Sequence, residues 1–222
     1  MELKGLKINF LGDSITEGCG AGGVEYIFHQ VLKNDACLAE TRCYGIGGTR
    51  FAVQRNNGNP PWNENFDNDA FCQRFDKMDD DADAVVVFGG TNDYGHGNAP
   101  IGCFADRTPD TFYGACHYLF SGLIRKYLGK PIVVMTPLHR SNEFNNNNYY
   151  HEQHSRKLKD YVAIIREVAE YYGLPVLDLY KECTLQPEIY EIKDKFMPDG
   201  LHPNNEGHKI LADMLKKFLE RL

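Results

Sequence analysis

Ser14 differs from the other three serines of the chain because it directly follows a short apolar segment and a glycine. Residues 6–11 read as a strand that ends in Gly12, Asp13 and Ser14, ahead of a stretch that can begin a helix. A hydroxyl at the end of a buried strand is exposed at the sheet edge, near helix N–H groups that favour developing negative charge. A serine in this place can act as a nucleophile, or it can only cap the following helix.

A second candidate group lies near the other end of the chain. Asp199 and His202 are three residues apart in a loop that also contains Gly200 and is bounded by Pro198 and Pro203. A carboxylate at this spacing can bind Nδ1 of the imidazole and fix its tautomer, which leaves Nε2 free to accept a proton from a serine. An isolated pair of this kind is more often a loop carboxylate beside a solvent-facing histidine, so its meaning depends on the rest of the chain.

Acyl transfer also requires groups that stabilise an oxyanion, and two glycine-rich turns supply candidates. The turn at 89–93 reads GGTND, and the side-chain amide of Asn92 can donate a hydrogen bond there. The turn at 45–48 reads GIGG, and the backbone N–H of Gly48 or, alternatively, of Gly47 can do the same. Each turn alone is an ordinary tight loop, and only its combination with a nucleophile and a base indicates a site.

The elements that must position these residues form an alternating pattern. Strands are predicted at 6–11, 41–46, 84–88, 131–135 and 175–179, and helices at 111–127, 150–172 and 204–222. Such alternation predicts a parallel sheet with helices on both faces, and ligands bind beyond the carboxyl ends of its strands. Neither a repeat nor a flexible linker divides the 222 residues, which suit one domain over 1–222.

Composition and charge narrow the possible partners. A formal net charge of −7 argues against a nucleic-acid binder, because phosphate binding depends on Lys and Arg. The sequence has neither a segment long and apolar enough to cross a membrane nor the apolar stretch of a signal peptide. The seven cysteines include no CxxC pair, which indicates buried, reduced thiols. We therefore expect a cytoplasmic protein with a small-molecule substrate and with neither nucleic acid nor membrane as partner.

Together the motifs resemble those of the SGNH hydrolases, also called GDSL esterases. That family has a GDS serine after the first strand, a glycine after the second, a GxND asparagine after the third and a DxxH pair near the C-terminus. The corresponding blocks stand here in that order, from residue 12 to residue 202. In two departures, Ile15 replaces the leucine after GDS, and Cys43 holds the place of an asparagine that often precedes the glycine.

The resemblance implies a three-layer α/β/α fold, similar to flavodoxin, with five parallel strands. It implies a nucleophilic Ser14, with His202 as general base and Asp199 as the partner of the histidine. The implied oxyanion hole and its support consist of the Ser14 N–H, the Gly48 N–H, the Asn92 side chain and, as a supporting residue, Asp13. The expected reaction is hydrolysis of a short-chain ester, with an O-acetyl group on a carbohydrate as the favoured substrate and lysophospholipids or thioesters as alternatives. Neither metal nor cofactor is expected.

Three other functions are compatible with parts of the sequence. Residues 18–23 match GxGxxG, the pattern of dinucleotide-binding loops, although the match begins late after the strand and no acidic residue ends the second strand. His151 and His154 are spaced by three, which allows a metal site but is more typical of a solvated helix face. The third interpretation is a non-catalytic binding module on the same fold.

Overall fold

The computed structural model describes residues 1–54, 69–144 and 156–222. The strands in these ranges are β1 (Lys7–Gly12), β2 (Glu40–Gly45), β3 (Ala84–Phe88), β4 (Ile132–Met135) and β5 (Val176–Leu177). All neighbouring strands are parallel, and their order across the sheet is β2-β1-β3-β4-β5. The register pairs Gly12 of β1 with Gly45 on one side and with Phe88 on the other, so three strands end at the same edge.

Helices cover both faces of this sheet. Their bounds are α1 (Ser14–Glu17), α2 (Phe28–Asp35), α3 (Phe71–Arg74), α4 (Thr91–His96), α5 (Phe112–Lys126), α6 (Leu158–Tyr171), α7 (Leu179–Glu182), α8 (Tyr190–Phe196) and α9 (Asn205–Glu220). Helices α2 and α9 pack together on one face, and α5 and α6 pack together on the other. The result is three layers, with the sheet in the middle.

The central strand β3 shows why the sheet is covered on both faces. Its residues alternate between the two cores, as strand geometry requires. Val85 and Val87 belong to the core under α5 and α6, whereas Ala84, Val86 and Phe88 belong to the core under α2 and α9. All five side chains are buried, which is the reason for the uninterrupted apolar run. The predicted α/β/α fold with a five-stranded parallel sheet is confirmed.

The main difference from the predicted elements is at β5, which was expected over 175–179 but covers only Val176–Leu177. The strand ends at Asp178, whose side chain accepts a hydrogen bond from the Lys181 N–H and so caps α7. The same carboxylate pairs with Arg166 of α6 at 2.7 Å. In the predicted helix over 150–172, residues 150–155 lie outside the described ranges, and α6 is observed from Leu158.

The cysteines are all within the described ranges and are all free. Cys72, Cys116 and Cys183 are buried as expected, but the other four, at 19, 37, 43 and 103, are exposed, so the prediction of buried thiols is only partly right. Separately, none of the helices in residues 1–54, 69–144 and 156–222 combines the length and apolar composition that a bilayer crossing requires.

The topology itself creates a place for a ligand. From β1 the chain moves first to β2 on one side and then to β3 on the other side of β1. At such a switch point the loops after neighbouring strands leave in opposite directions, and a crevice opens between them. In this sheet the switch point lies between the ends of β1 and β3, where Ser14 and Asn92 follow their strands.

Candidate active site

Ser14 begins α1 directly after the last residues of β1. The N-cap of this short helix is Asp13, whose carboxylate accepts a hydrogen bond of 3.0 Å from the Ile15 N–H. The alternative role considered for Ser14, capping the helix, is therefore taken by its neighbour. The supporting role expected of Asp13 has a physical basis, because its side chain holds the turn that presents the serine.

A close approach between α1 and β1 fixes this turn further. A Cβ atom placed on Gly12 would lie 1.9 Å from Oγ1 of Thr16 and 3.0 Å from the carbonyl oxygen of Phe88. No side chain other than hydrogen fits between the strand end and the helix. The glycine of the GDS motif therefore allows Ser14 to lie directly against the end of the sheet.

The two ends of the chain meet at Ser14. Its Oγ lies 3.0 Å from Nε2 of His202, and Nδ1 of His202 lies 2.6 Å from Oδ2 of Asp199. The other oxygen of Asp199 accepts hydrogen bonds from the backbone N–H groups of Leu201 at 2.8 Å and His202 at 2.7 Å. A carboxylate can only accept, so Nδ1 carries the imidazole proton and Nε2 is the acceptor for the serine hydroxyl.

The loop that carries the histidine is attached to the loop after β4. The Ser141 N–H donates to the carbonyl oxygen of Gly200 at 2.7 Å, and the Gly200 N–H donates to that of Met197, also at 2.7 Å. Gly200, which takes part in both bonds, lies between Asp199 and His202 in the sequence. The two bonds hold both side chains at the rim without using either of them.

The two acidic groups beside Ser14 differ in charge state. Partial burial raises the pKa of Asp199, but hydrogen bonds from the backbone and ring of His202 and from the Leu201 N–H outweigh this, so its pKa lies below the usual value. Burial raises the pKa of Asp13 to about 7, against the opposing effect of the Ile15 N–H. Asp199 is therefore ionised at neutral pH, while Asp13 titrates near neutrality.

The loop after β2 passes beside the serine, and it distinguishes the two candidate glycines. A Cβ atom on Gly47 would lie 3.6 Å from the Cβ of Ser14. The Gly47 N–H, however, already donates to Oε2 of Glu17 at 2.7 Å. Over the described ranges the Gly48 N–H has no assigned acceptor. Of the two, Gly48 is the residue whose N–H remains available to a substrate.

Asn92, the second residue of α4, is 5% exposed and has both ends of its amide engaged. Its Nδ2 donates to the carbonyl oxygen of Thr49 at 3.0 Å. Its Oδ1 lies 3.1 Å from Nε2 of His96, one helical turn further on. Since Thr49 immediately follows Gly48, this hydrogen bond ties Asn92 to the residue next to the other predicted oxyanion donor.

Asp93 adds a second link between α4 and the loop after β2, although it was not among the predicted site residues. Its carboxylate accepts hydrogen bonds from the backbone N–H groups of Phe51 at 2.9 Å and Ala52 at 3.1 Å. Burial raises the pKa of Asp93 to about 6, and these two N–H groups oppose the rise. The signal was present in the GGTND motif, where the aspartate directly follows the candidate asparagine.

Arg74 had no comparable signal. Its buried guanidinium donates to the carbonyl oxygen of Gly12 at 2.6 Å, to Oγ1 of Thr49 at 3.0 Å and to the carbonyl oxygen of Tyr44. Burial lowers its pKa to about 10, so it is charged at neutral pH. Arg74 thus joins the ends of β1 and β2 beneath the serine, and only long-range contacts identify it.

The GxGxxG match at 18–23 has a different basis from nucleotide binding. A Cβ atom on Gly20, whose φ is +89°, would lie 2.3 Å from the carbonyl oxygen of Pro203 and 3.1 Å from the Cβ of His202. The Gly22 N–H donates to Oδ1 of Asn205 at 2.7 Å. These glycines follow α1 and allow the chain to pack against the histidine loop.

The alternative of a metal site rested on His151 and His154, and both residues lie outside the described ranges. Within the part of the chain that is described, no three His, Cys, Asp or Glu side chains are grouped so as to hold a metal ion.

Known proteins resemble this chain over nearly its whole length. Residues 10–210 match the model of the GDSL-like lipase/acylhydrolase family. A Lactobacillus plantarum protein of known structure is 30% identical, with 98% of each chain covered and a TM-score of 0.81. A lipase/acylhydrolase from Enterococcus faecalis is 22% identical, with 97% of this chain and 95% of that chain covered and a TM-score of 0.66. A comparison with curated proteins found no match.

A further solved structure is a two-domain esterase active on acetylated mannans. It is 19% identical, with a TM-score of 0.64, and the alignment covers 99% of this chain but 50% of that chain. At these identities the E. faecalis protein and the mannan esterase show the fold alone. The family match is broader, because its 10–210 span includes the serine, glycine, asparagine and Asp–His blocks. The chain therefore belongs to the GDSL-like lipase/acylhydrolase family.

Proposed function

We propose that the protein is a serine ester hydrolase that works through an acyl-enzyme intermediate, with Ser14 as its nucleophile. One observation carries this proposal: Oγ of Ser14 lies 3.0 Å from Nε2 of His202, whose Nδ1 lies 2.6 Å from Asp199. This is the hydrogen-bonding order of an activated serine, its general base and the carboxylate that orients the base.

In the first half of the reaction, His202 accepts the hydroxyl proton as Oγ of Ser14 attacks the ester carbonyl carbon. The tetrahedral intermediate carries its negative charge on the former carbonyl oxygen, and Asp199 stabilises the imidazolium. His202 then donates the proton to the departing alcohol oxygen. The acyl group remains bonded to Ser14.

The second half releases the acid and restores the serine. Water attacks the acyl carbonyl carbon while His202 accepts one of its protons. When the second tetrahedral intermediate collapses, the bond to Oγ breaks and His202 returns the proton to Ser14. The products are a carboxylic acid and the free enzyme, and no cofactor takes part in either half.

The proposed oxyanion donors are the Ser14 N–H, the Gly48 N–H and Nδ2 of Asn92. The Ser14 N–H is at the first position of α1, where no intrahelical acceptor exists. The bond from Gly47 to Glu17 favours Gly48 as the second donor. Removing one such donor from a hydrolase costs about 3 kcal/mol of transition-state stabilisation.

For the substrate, we propose a small acyl ester, with an O-acetyl group on a carbohydrate as the class to test first. The fold is shared with an esterase that is active on acetylated mannans. A formal net charge of −7 disfavours an anionic lipid surface, which attracts basic proteins. Lysophospholipids and acyl thioesters are the alternatives within the same chemistry.

The nucleophile is tested with p-nitrophenyl acetate and a serine-directed phosphonate. Ser14→Ala should lower kcat by at least about 10³-fold, since removal of a triad serine leaves only the residual effect of binding and the oxyanion hole. The phosphonate should modify wild type at Ser14 and leave the variant unmodified. Ser121→Ala, at a half-buried position of α5 where the hydroxyl donates to the Tyr118 carbonyl oxygen, is the matched control. A Ser14→Ala protein that is folded and keeps most of its activity would refute the proposal.

The substrate class is tested with p-nitrophenyl esters of increasing acyl length and then with acetylated oligosaccharides. We expect kcat/KM to be highest for acetate and to fall beyond butyrate, with release of acetate from the oligosaccharides. Turnover that rises with acyl length, or that is faster on a lysophospholipid or thioester, would favour one of the alternatives.

A further inference from the structure

Asn92 lies at the end of a second chain of hydrogen bonds, separate from the one that ends at Ser14. Nη1 of Arg50 donates to Nδ1 of His96 at 3.0 Å and to the carbonyl oxygen of His96 at 3.3 Å. Nε2 of His96 then lies 3.1 Å from Oδ1 of Asn92. Arg50 is 6% exposed and Asn92 is 5% exposed, so water competes little with these contacts.

The chemistry of the two outer groups decides which atom donates and which accepts in each of these hydrogen bonds. A guanidinium has donors only, so Nδ1 of His96 must accept. The imidazole is therefore neutral, and its one proton is on Nε2, which donates to Oδ1 of Asn92. At the other end of the amide, the Thr49 carbonyl oxygen can only accept, and it accepts a hydrogen bond from Nδ2. Both contacts select the same orientation of the amide.

That orientation matters for the proposed reaction. Rotation of the amide by 180° would exchange Oδ1 and Nδ2, and the acceptor would then repel an oxyanion. Nδ2 has two N–H groups, and one of them donates to the Thr49 carbonyl oxygen. Across residues 1–54, 69–144 and 156–222, the other N–H has no hydrogen-bond acceptor. This second N–H is the one that can donate to a substrate oxygen.

We propose that Arg50 and His96 are positioning residues that hold the Asn92 amide with its N–H directed to the oxyanion. The inference rests on the proposed serine esterase function. A purely structural role, joining α4 to the loop after β2, is already filled by the two backbone hydrogen bonds of Asp93. The contact that His96 adds is to the functional amide itself.

A double-mutant cycle on p-nitrophenyl acetate hydrolysis tests this inference. Asn92→Ala should lower kcat by about 10²-fold, as loss of one oxyanion donor does. His96→Leu should lower kcat by about 10-fold with KM changed by less than about 2-fold, because only the transition-state donor is misaligned. Combined with Asn92→Ala, His96→Leu should have almost no further effect. Two independent effects that multiply would refute the proposal, as would an unchanged kcat in His96→Leu.

A conservative variant separates positioning from general stability. His96→Gln keeps an N–H donor that can reach Oδ1 of Asn92, so it should recover at least about a third of the wild-type kcat. A glutamine variant no better than the leucine variant would contradict the assignment. His117→Leu, a buried histidine on α5 that contacts Tyr172, controls for the loss of an imidazole elsewhere. If His96→Leu does not fold, Arg50→Met enters the same cycle.

Phosphonate labelling distinguishes failure of this inference from failure of the proposed function. If wild type is labelled at Ser14 and the cycle is multiplicative, the serine mechanism stands and the positioning role is wrong. If wild type is not labelled at all, the proposed esterase function fails, and the positioning role fails with it.

Discussion

Two histidines of the candidate site have partners of opposite charge. The carboxylate of Asp199 lies 2.6 Å from Nδ1 of His202, whereas the guanidinium of Arg50 lies 3.0 Å from Nδ1 of His96. The carboxylate accepts a hydrogen bond from Nδ1, which leaves Nε2 of His202 as an acceptor for the serine. The guanidinium donates a hydrogen bond to Nδ1, so Nε2 of His96 carries the ring proton and donates to Asn92. The same side chain thus presents opposite hydrogen-bonding character at Nε2, and the charge at Nδ1 decides which.

The two groups also differ in their access to water. The side chain of Asp199 is 55% exposed, while Arg50 as a whole residue is 6% exposed. In the proposed mechanism, His202 gains and loses a proton in each turnover beside this exposed carboxylate, where water stabilises charge. In the proposed positioning role, His96 stays neutral against a buried guanidinium. The two proposed roles, proton transfer and preorganised donation, thus match different surroundings of the same residue type.

Asp199→Asn is expected to have the largest effect, because it makes the surroundings of His202 resemble those of His96. The new amide can donate to Nδ1, which would move the imidazole proton to Nε2 and remove the acceptor for Ser14. We expect kcat for p-nitrophenyl acetate to fall by about 10³-fold with a smaller change in KM. Asp194→Asn, an exposed residue of α8, is the control. A loss of less than about 3-fold would show that the carboxylate does not set the tautomer.

The next effect concerns His208, whose hydrogen-bond partners among the described residues are the Phe28 N–H and the Cys19 carbonyl oxygen. Burial lowers its pKa to about 4, and His29 behaves in the same way. Their unfolded pKa is about 6.5, so between about pH 6.5 and 4 the unfolded chain binds more protons and stability falls as pH falls. Asp13 and Asp93 act in the opposite direction, since their pKa values of about 7 and 6 favour the folded state at low pH.

Urea unfolding of His208→Gln at pH 7.5 and pH 5 measures this contribution. Wild type should lose about 2 kcal/mol more than the variant between the two pH values, because the unfolded histidine is protonated at pH 5 and the buried one is not. The comparison at pH 7.5 accounts for packing and hydrogen bonds lost in the variant. Equal losses in both proteins would mean that His208 is not neutral and buried in the folded state.

The smallest effect is expected at Glu17, which holds the loop beside Ser14. Its carboxylate accepts the Gly47 N–H at 2.7 Å, and Glu17→Ala would release that N–H. We expect kcat to fall about 5-fold, since a single exposed hydrogen bond contributes modestly. Glu17→Gln retains an acceptor oxygen and should be close to wild type. Equal loss in both variants would show that the charge, rather than the hydrogen bond, is what matters.

Local patterns in the sequence predicted the fold and indicated the candidate site residues. The alternation of apolar strands and amphipathic helices is a property of short segments, and it predicted the parallel sheet that is observed. Ser14, Asn92 and the Asp199–His202 pair stand in short motifs beside those segments. The structure brings Ser14, Asp199 and His202 within hydrogen-bonding distance, while their catalytic roles remain predictions.

The remaining features depend on contacts between distant segments. The proposal of Gly48 rather than Gly47 as an oxyanion donor depends on the position of Glu17, and the contacts of Arg74 are to carbonyl groups of two different strands. The sheet order was also needed to show that β1 lies between β2 and β3, which creates the crevice. None of these relations leaves a pattern in neighbouring residues.

By itself, then, the sequence determined which elements form and which reactive side chains follow the strands, because hydrophobic periodicity and turn residues act over a few positions. Only the tertiary structure decided which ring nitrogen of each histidine donates a hydrogen bond and which accepts one. Ser14 and His202 are 188 residues apart, and Arg50 and His96 are 46 apart. Whether a ring nitrogen donates or accepts is set by the charge of the group against it, and folding alone brings that group into contact.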